Sequence, residues 1–210
     1  MSKPEEMRNR ILDAALQLAE AGSWEQVRLQ GIADHAKVSL SDIHQLYTQK
    51  DDLVEAWFDR ADQAMLAAAD RIASMETPES ERLHRVIVSW FDALQPYRRV
   101  TRQMLGYKLE FGHIHLQVLG VLRISRTVQW FREAARLRAS GPERIAQEVA
   151  ITSVFLLCFG RWLFAQSPDS ESSSRLLAKL LRRVPALEGS PSATGPGRHP
   201  GRGSPRRDSG

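Results

Sequence analysis

Residues 28 to 53 read RLQGIADHAKVSLSDIHQLYTQKDDL, and this stretch decides the fold of the chain. In its first part, small and apolar residues recur at three- and four-residue steps, the spacing of one helix face: Leu29, Ile32, Ala33 and Ala36. After a break at residues 37 and 38, Ser39 is placed to cap a second short helix. The inward positions of that helix are Ile43, Leu46 and Tyr47. Two short helices joined by a tight turn form a helix-turn-helix unit, whose second helix is presented to the major groove of DNA.

Over residues 8 to 60 the chain resembles the TetR family of bacterial transcription regulators. The matching residues are Ile11, Ala14, Ala15, Leu16, Trp24, Ile32, Ala33, Ala36, Lys37, Val38, Ser39, Ile43, Leu46, Tyr47, Lys50 and Leu53. The chain departs from the usual family residue at four positions, where it has Arg28 for Thr, Lys37 for Gly, Ser41 for Gly and His44 for Tyr. The resemblance implies an all-α fold, in which an N-terminal three-helix helix-turn-helix domain is joined by a long helix to a C-terminal helical ligand-binding and dimerisation domain.

The rest of the chain is also predicted to be helical. Apolar spacing, glycines and prolines predict helices at 5–21, 50–75, 80–94, 97–111, 114–139, 142–166 and 172–184. We therefore expect a DNA-binding domain at 1–50, a connecting helix at 51–75 and a ligand-binding and dimerisation domain at 76–184. Residues 185–210 are rich in Gly, Pro, Ser and Arg, which predicts a disordered tail.

Composition limits the class of protein. The chain has 210 residues, a net charge of +4 and one cysteine, Cys158, so no disulfide can form within it. Its first ten residues lack the apolar segment of a secretory signal. The most apolar run, 149–165, is shorter than the ~20 residues of a membrane-spanning helix. We therefore expect a cytoplasmic protein with no membrane span.

Charge is unevenly distributed along the chain. Residues 1–75 hold 8 Lys and Arg against 13 Asp and Glu, a net charge of −5, whereas residues 76–184 have a net charge of +7. Neutralisation of the phosphates by Lys and Arg supplies much of the affinity for DNA. The net negative charge of the predicted DNA-binding domain is therefore unfavourable for binding. Its affinity must then depend on the few basic side chains that face the phosphates.

The exposed side of the second short helix is the predicted DNA-reading surface. The predicted base contacts are Ser39, Ser41, Asp42, His44 and Gln45, with Leu40 able to touch only a thymine methyl group. Arg28, Lys37 and Lys50 are predicted to hold the DNA backbone. An ordinary solvated helix face remains open as an alternative, because no Lys or Arg occurs from residue 38 to residue 49.

Aromatic and sulfur-containing side chains are plentiful in the second part. The family resemblance implies that some of them line a cavity for a small apolar effector or a lipid: Trp90, Met104, Tyr107, Phe111, Trp130, Phe155 and Phe159. The alternative is that they simply fill a core. The helix at 142–166 has apolar side chains on nearly every side, more than one domain needs, which predicts a homodimer. A two-fold dimer would present two DNA-reading helices to a pseudo-palindromic operator on double-stranded DNA.

Catalysis finds little support in the sequence. His113 and His115 would point to different helix faces, so a shared metal is not expected, and Cys158 lies in apolar surroundings that raise a thiol pKa. We therefore predict no enzyme activity, no metal and no cofactor.

Two functions remain open at this level. The first is a ligand-responsive transcriptional regulator, a repressor released from its operator by an apolar effector. The second follows from WFDAL at 90–94, Pro96 and RWL at 161–163, which look like the TetR-fold lipid-binding proteins of ubiquinone (isoprenoid quinone) biosynthesis.

Overall fold

The computed structural model describes residues 3–74, 77–108, 114–165, 170–184 and 187. Within these residues the chain is helical and has no β-strand. The helices are α1 Lys3–Ala21, α2 Leu29–Ala36, α3 Leu40–Leu46, α4 Lys50–Ala73, α5 Glu79–Leu94, α6 Arg98–Lys108, α7 Ile114–Ala134, α8 Gly141–Phe164 and α9 Ser170–Leu181. The predicted all-α fold is therefore confirmed, and nearly all of the predicted tail at 185–210 lies outside the described residues.

Helices α1 to α3, residues 3–49, form a small unit that we call the head. α1 packs against α2 and α4, and α2 packs against α3. Most of the side chains that the sequence predicted to face inward are buried, whereas Leu29 and Leu46 are half-buried. The buried ones are Ile11, Ala15, Leu16, Trp24, Ile32, Ala33, Ala36, Ile43 and Tyr47. The hydroxyl of Tyr47 also donates to the carbonyl oxygen of Arg8, 3.0 Å away. Burial raises the pKa of Tyr47 to about 12, so the hydroxyl keeps its proton and remains a donor.

The turn between α2 and α3 is a left-handed helix end. Lys37 has φ 55° and ψ 51°, and the N–H of Val38 donates to the carbonyl oxygen of Ala33 at 3.1 Å. This arrangement usually places glycine at the left-handed position, because a Cβ there crowds the following carbonyl. A lysine at residue 37 therefore carries backbone strain that glycine would not.

Helix α4 connects the head to the rest of the chain. Its 24 residues span ~36 Å at about 1.5 Å per residue. Asp52 caps its start by accepting from the backbone N–H groups of Thr48 and Gln49 at 2.7 and 3.1 Å. Farther along, α4 packs against α5 and α7. One continuous helix thus belongs to the head at its beginning and packs in the second part over most of its length.

Helices α5, α7, α8 and α9 form the body of the second part. The prediction that α7 extends to residue 139 is wrong, because the helix ends at Ala134. Arg136 is left-handed with φ 52°, and the N–H of Leu137 donates back to the carbonyl oxygen of Arg132 at 3.1 Å. The apolar spacing continues past this reversal, so the sequence pattern alone does not reveal where the helix ends.

Helix α8 is apolar on two sides. Its inward side chains Ile151, Phe155, Cys158 and Trp162 are buried. Its other side exposes five apolar side chains, which we call the α8 outer face: Ile145, Val149, Leu156, Leu157 and Phe164. By length and composition, α8 is the one helix among the described residues that could cross a membrane. From the sequence, the apolar segment at 149–165 is too short for a span, but the helix that contains nearly all of it is longer, Gly141–Phe164. Its inward side packs against α6, α7 and α9, and 33% of its most apolar stretch is buried.

Candidate nucleic-acid interface and ligand site

The start of α3 is held by a reciprocal cap between Ser39 and Asp42. The backbone N–H of Asp42 donates to the hydroxyl of Ser39 at 3.0 Å, and the backbone N–H of Ser39 donates to the carboxylate of Asp42 at 2.9 Å. The hydroxyl of Ser39 also donates to that carboxylate at 2.7 Å. These hydrogen bonds lower the pKa of Asp42, which favours the charged form in the cap. Ser39 thus caps α3 as the sequence predicted, and Asp42 has a structural role that its predicted role as a base contact did not include.

The remaining predicted base contacts lie together on the open side of α3. Ser41, His44 and Gln45 are exposed, and so is Leu40, at 46% of its surface. Within the described part of the chain, the side chains of Ser41, His44 and Gln45 have no hydrogen-bond partner. An amide such as that of Gln45 can bond an adenine edge through two hydrogen bonds. The fold thus presents a short row of polar side chains, and their contact with bases stays a prediction.

The three predicted phosphate contacts differ in their surroundings. Arg28 precedes α2 and Lys37 follows it, and both side chains are exposed. The ammonium group of Lys50 instead donates to the carbonyl oxygen of Trp24 at 2.6 Å and lies 4.9 Å from the centre of the Trp24 ring. Burial lowers the pKa of Lys50. Lys50 therefore fastens the start of α4 to the loop after α1, and the prediction that it also holds DNA is untested.

Contacts that the sequence reasoning missed attach the head to α6. The side-chain carbonyl of Gln103 accepts from the backbone N–H of Trp24 at 2.8 Å. Arg99 donates to the carbonyl oxygens of Glu20 and Gly22 at the end of α1, the latter at 3.3 Å. Residues 77 to 79 positions apart in the chain make these contacts, so no local pattern could have indicated them. They fix the orientation of the head through α6 as well as through α4.

The second part contains an aromatic cluster centred on Trp90. We define it by its rings, which contact one another at centroid distances of 5.2 to 6.1 Å: Trp90, Phe91, Phe131, Phe155, Phe159 and Trp162. Three predicted ligand contacts, Trp90, Phe155 and Phe159, lie in this cluster. Met104 is fully buried on α6. The cluster supplies an apolar, polarisable interior of the kind that holds apolar ligands.

Three other predicted ligand contacts are not placed in the cluster. Trp130 is 44% exposed on the outer side of α7, while its neighbours Val128 and Phe131 take the inward positions, so it lies outside the cluster and its predicted ligand contact stays untested. The side chain of Tyr107 and all of Phe111 lie outside the described residues.

An ion-pair network joins α4 to α7 beside the cluster, and the side chains of its members Arg123 and Asp62 are largely buried. The carboxylate of Asp62 accepts from the indole N–H of Trp90 at 2.8 Å and from the guanidinium of Arg123 at 2.9 Å. Arg123 also donates to Asp59 at 2.5 Å. Burial raises the pKa of Asp62, and the facing Arg123 opposes that rise. A charged side chain of the connecting helix is therefore bonded directly to a ring of the aromatic cluster.

Comparison with solved structures identifies the family. A crystal structure of the TetR transcriptional regulator from Nitrosomonas europaea ATCC 19718 is 42% identical in sequence and superposes with a TM-score of 0.76. The alignment covers 85% of this chain and 98% of that one. The chain belongs to the TetR family of transcriptional regulators. No family model matches the sequence, and comparison with curated proteins gave no match.

More distant TetR structures share the fold. A TetR transcriptional regulator from Rhodococcus sp. RHA1 is 17% identical over 86% of this chain and 96% of its own, with a TM-score of 0.62. Thermus thermophilus FadR, a TetR-family repressor in complex with lauroyl-CoA, is 19% identical over 90% of this chain and 99% of its own, with a TM-score of 0.57. In the TetR architecture, the head is the DNA-binding helix-turn-helix domain and the second part is the ligand-binding domain.

Groups that could support chemistry in this TetR regulator are few among the described residues. Burial raises the pKa of Cys158 to about 11, so its thiol stays protonated at neutral pH, as the sequence predicted. In the part of the chain that the structure describes, no three His, Cys, Asp or Glu side chains are grouped to hold a metal ion. His113 of the sequence analysis lies outside that part.

Proposed function

We propose that this TetR-family regulator is a repressor that leaves its operator when an apolar effector binds in the aromatic cluster. The observation that carries the proposal is the hydrogen bond from Trp90 to Asp62, because it joins the cluster to the helix that begins in the head. A ligand changes an equilibrium only if it binds one conformation better than the other. We expect the geometry of this hydrogen bond to differ between the protein with an empty cluster and the protein with an effector in the cluster.

The DNA-bound form needs α3 in the major groove with the head firmly held. The cap at Ser39 and the buried Tyr47 set the direction of α3, and Gln103 and Arg99 hold the head on α6. Exposed Arg28 and Lys37 flank α2, where they are available to phosphates. Ser41, His44 and Gln45 are then the side chains that reach the base edges.

The effector would act by parting the rings around Trp90. Its chemistry is set by the cluster, since six aromatic rings favour an apolar molecule. The Thermus thermophilus repressor, which shares the fold, was crystallised with lauroyl-CoA. If Trp90 shifts, Asp62 must follow it or lose a hydrogen bond, and the proposed signal is a movement of α4 that accompanies this change.

A homodimer provides the second half of the operator contact. The α8 outer face leaves apolar side chains in water, including Val149 and Leu157 at 62% and 58% exposure. Exposed apolar surface of this kind favours association. Two heads related by a two-fold axis would match half-sites about 34 Å apart, and the effector would change that spacing.

The test uses the full-length protein purified from its own host cell. Native mass spectrometry should detect an apolar compound of defined mass, which is then removed and identified. Adding the compound back to stripped protein should lower its affinity for a duplex from the region upstream of its gene. Unchanged affinity after the compound has rebound would contradict release by an effector in the cluster.

A lipid carrier for isoprenoid quinone synthesis is the second candidate function. The net charge of −5 over residues 1–75 and the inward position of the Lys50 ammonium favour it, because both reduce attraction to DNA. This function predicts a co-purified polyprenyl quinone or phospholipid together with no operator binding, whereas the repressor predicts sequence-specific binding by the stripped protein.

A further inference from the structure

An arginine-rich groove lies on the surface between α7 and α8. It has a volume of about 400 Å³ and is lined by Arg126, Gln129, Trp130, Arg132, Glu133 and Arg144. Three arginines face one carboxylate, so the lining is positively charged. The volume is within the range of small-molecule sites, roughly 300 to 1,000 Å³.

Arg132 is the unusual member of this groove. Its side chain is buried, with 5% exposed, and its guanidinium donates to the neutral amide of Gln147. Among the described residues, no carboxylate forms an ion pair with it. Burial lowers the pKa of Arg132, and the nearby charge of Arg144 lowers it further. Nearby carboxylates oppose this change in the pKa: Glu148, Glu133 and Glu79. A buried cation that no carboxylate of the described residues contacts directly is costly, so an anion bound beside it would stabilise this arrangement.

Arg144 and Arg126 complete the positive side of the groove. Arg144 lies in the first turn of α8 with an exposed side chain that makes no ion pair or hydrogen bond within the described part of the chain. Arg126 donates to Asp59 at 3.0 Å, so part of its charge is already neutralised. Arg132 and Arg144 therefore provide most of the attraction for an anion.

Trp130 gives the groove an apolar wall. Its side chain is 44% exposed, which is a large fraction for a tryptophan. Packing within the chain does not explain this exposure. An aromatic face beside two guanidinium groups suits a ligand that combines an anionic group with a planar or apolar part. We propose that the groove binds a small organic anion, with its phosphate or carboxylate against Arg132 and Arg144 and its planar or apolar part over Trp130.

Calorimetric titration of the full-length protein tests this site with three probes: phenyl phosphate, benzoate and inorganic phosphate. Phenyl phosphate should bind more tightly than inorganic phosphate, because only the former covers Trp130. Comparison with benzoate shows whether the site prefers phosphate or carboxylate. Arg144→Ala should weaken binding of the preferred aromatic anion by at least about tenfold, the loss expected for a charge-assisted hydrogen bond. The matched control is Arg138→Ala, an exposed arginine that does not line the groove.

A second variant separates the two parts of the site. Trp130→Ala should weaken the aromatic probes while leaving the affinity for inorganic phosphate unchanged. Both Trp130 and Arg144 are exposed, so the variants are expected to fold, and circular dichroism checks this. The proposal is overturned if none of the probes binds at about 10 mM, a concentration that detects even millimolar affinity. Binding that is equally tight in wild type and Arg144→Ala also overturns it.

Discussion

The indole N–H of Trp90 donates to the carboxylate of Asp62 at 2.8 Å, and both side chains are almost completely buried. Trp90 belongs to the aromatic cluster of the ligand-binding domain, whereas Asp62 belongs to α4, which starts in the DNA-binding head. The bond therefore joins the aromatic cluster directly to the helix that starts in the head. Arg123 of α7 donates to the other oxygen of Asp62 at 2.9 Å.

Replacing Trp90 by Phe should remove this bond while keeping an aromatic ring in the cluster. We expect a loss of about 1 kcal/mol in the free energy of unfolding, and a weaker response of DNA affinity to the effector. Trp162→Phe is the matched control, since it deletes the hydrogen bond from Trp162 to Gln95 at 2.8 Å without touching α4. Urea unfolding and DNA titration measure the two effects. Equal changes of DNA response in the two variants would contradict a special role for the Asp62 contact.

The cap at the start of α3 should make stability depend on pH through Asp42. The hydrogen bonds from Ser39 lower the pKa of Asp42 from 3.8, so the folded state favours the charged form. The stabilisation is therefore present above pH 3.8 and is lost as the pH falls through the lowered value. Asp42→Asn should be less stable than wild type near neutral pH, and the difference should shrink in acid. A difference that is constant or grows with acidity in urea titrations would refute this assignment.

Lys37→Gly should stabilise the protein by about 1 kcal/mol, because glycine adopts the left-handed conformation at residue 37 without the cost of a Cβ. Lys37→Ala removes the same charge and keeps the Cβ, so it should not be stabilised. Both variants should lose the same DNA affinity if Lys37 contacts a phosphate, with the salt slope reduced by about 1. Urea unfolding and DNA titrations at several salt concentrations measure these effects. A glycine variant no more stable than the alanine variant would disprove the strain.

The α8 outer face should hold two copies of the chain together. Leu157→Glu places a charge in that face and should convert the dimer to a monomer in light scattering, with a large loss of operator affinity. Leu66→Glu changes an exposed leucine on α4 and should leave the dimer intact. A dimer of unchanged stability in Leu157→Glu would place the interface elsewhere.

The head could be predicted in detail because its signals are local. Ser39 lies three residues from Asp42, and the inward spacing of α2 and α3 extends over few residues, so helix positions and core side chains followed directly from the sequence. Lys50 was different. Its ammonium group bonds the carbonyl of Trp24, 26 positions away, and no local pattern reveals such a partner.

In the second part, the positions of the helices could be predicted from the sequence, but the side chains that come together in the candidate ligand site could not. The bonds of Asp62 to Trp90 and Arg123 join residues 28 and 61 positions apart, and they depend on how three helices pack. Trp130 was predicted to contact a ligand from the family resemblance and residue type alone. The inward positions of its neighbours Val128 and Phe131 already indicate that it faces another side of α7.

The most direct test of the DNA-reading role of α3 is fluorescence anisotropy with a labelled duplex from upstream of the gene. Wild type should bind this duplex more tightly than a scrambled duplex of the same composition. The double variant His44→Ala, Gln45→Ala should lose about 1–3 kcal/mol of that preference for each base contact removed, while its unfolding stays unchanged. Gln63→Ala, an exposed glutamine on α4, should behave as wild type. A wild-type protein that does not distinguish the two duplexes at low salt, or a double variant that still does, would contradict the account.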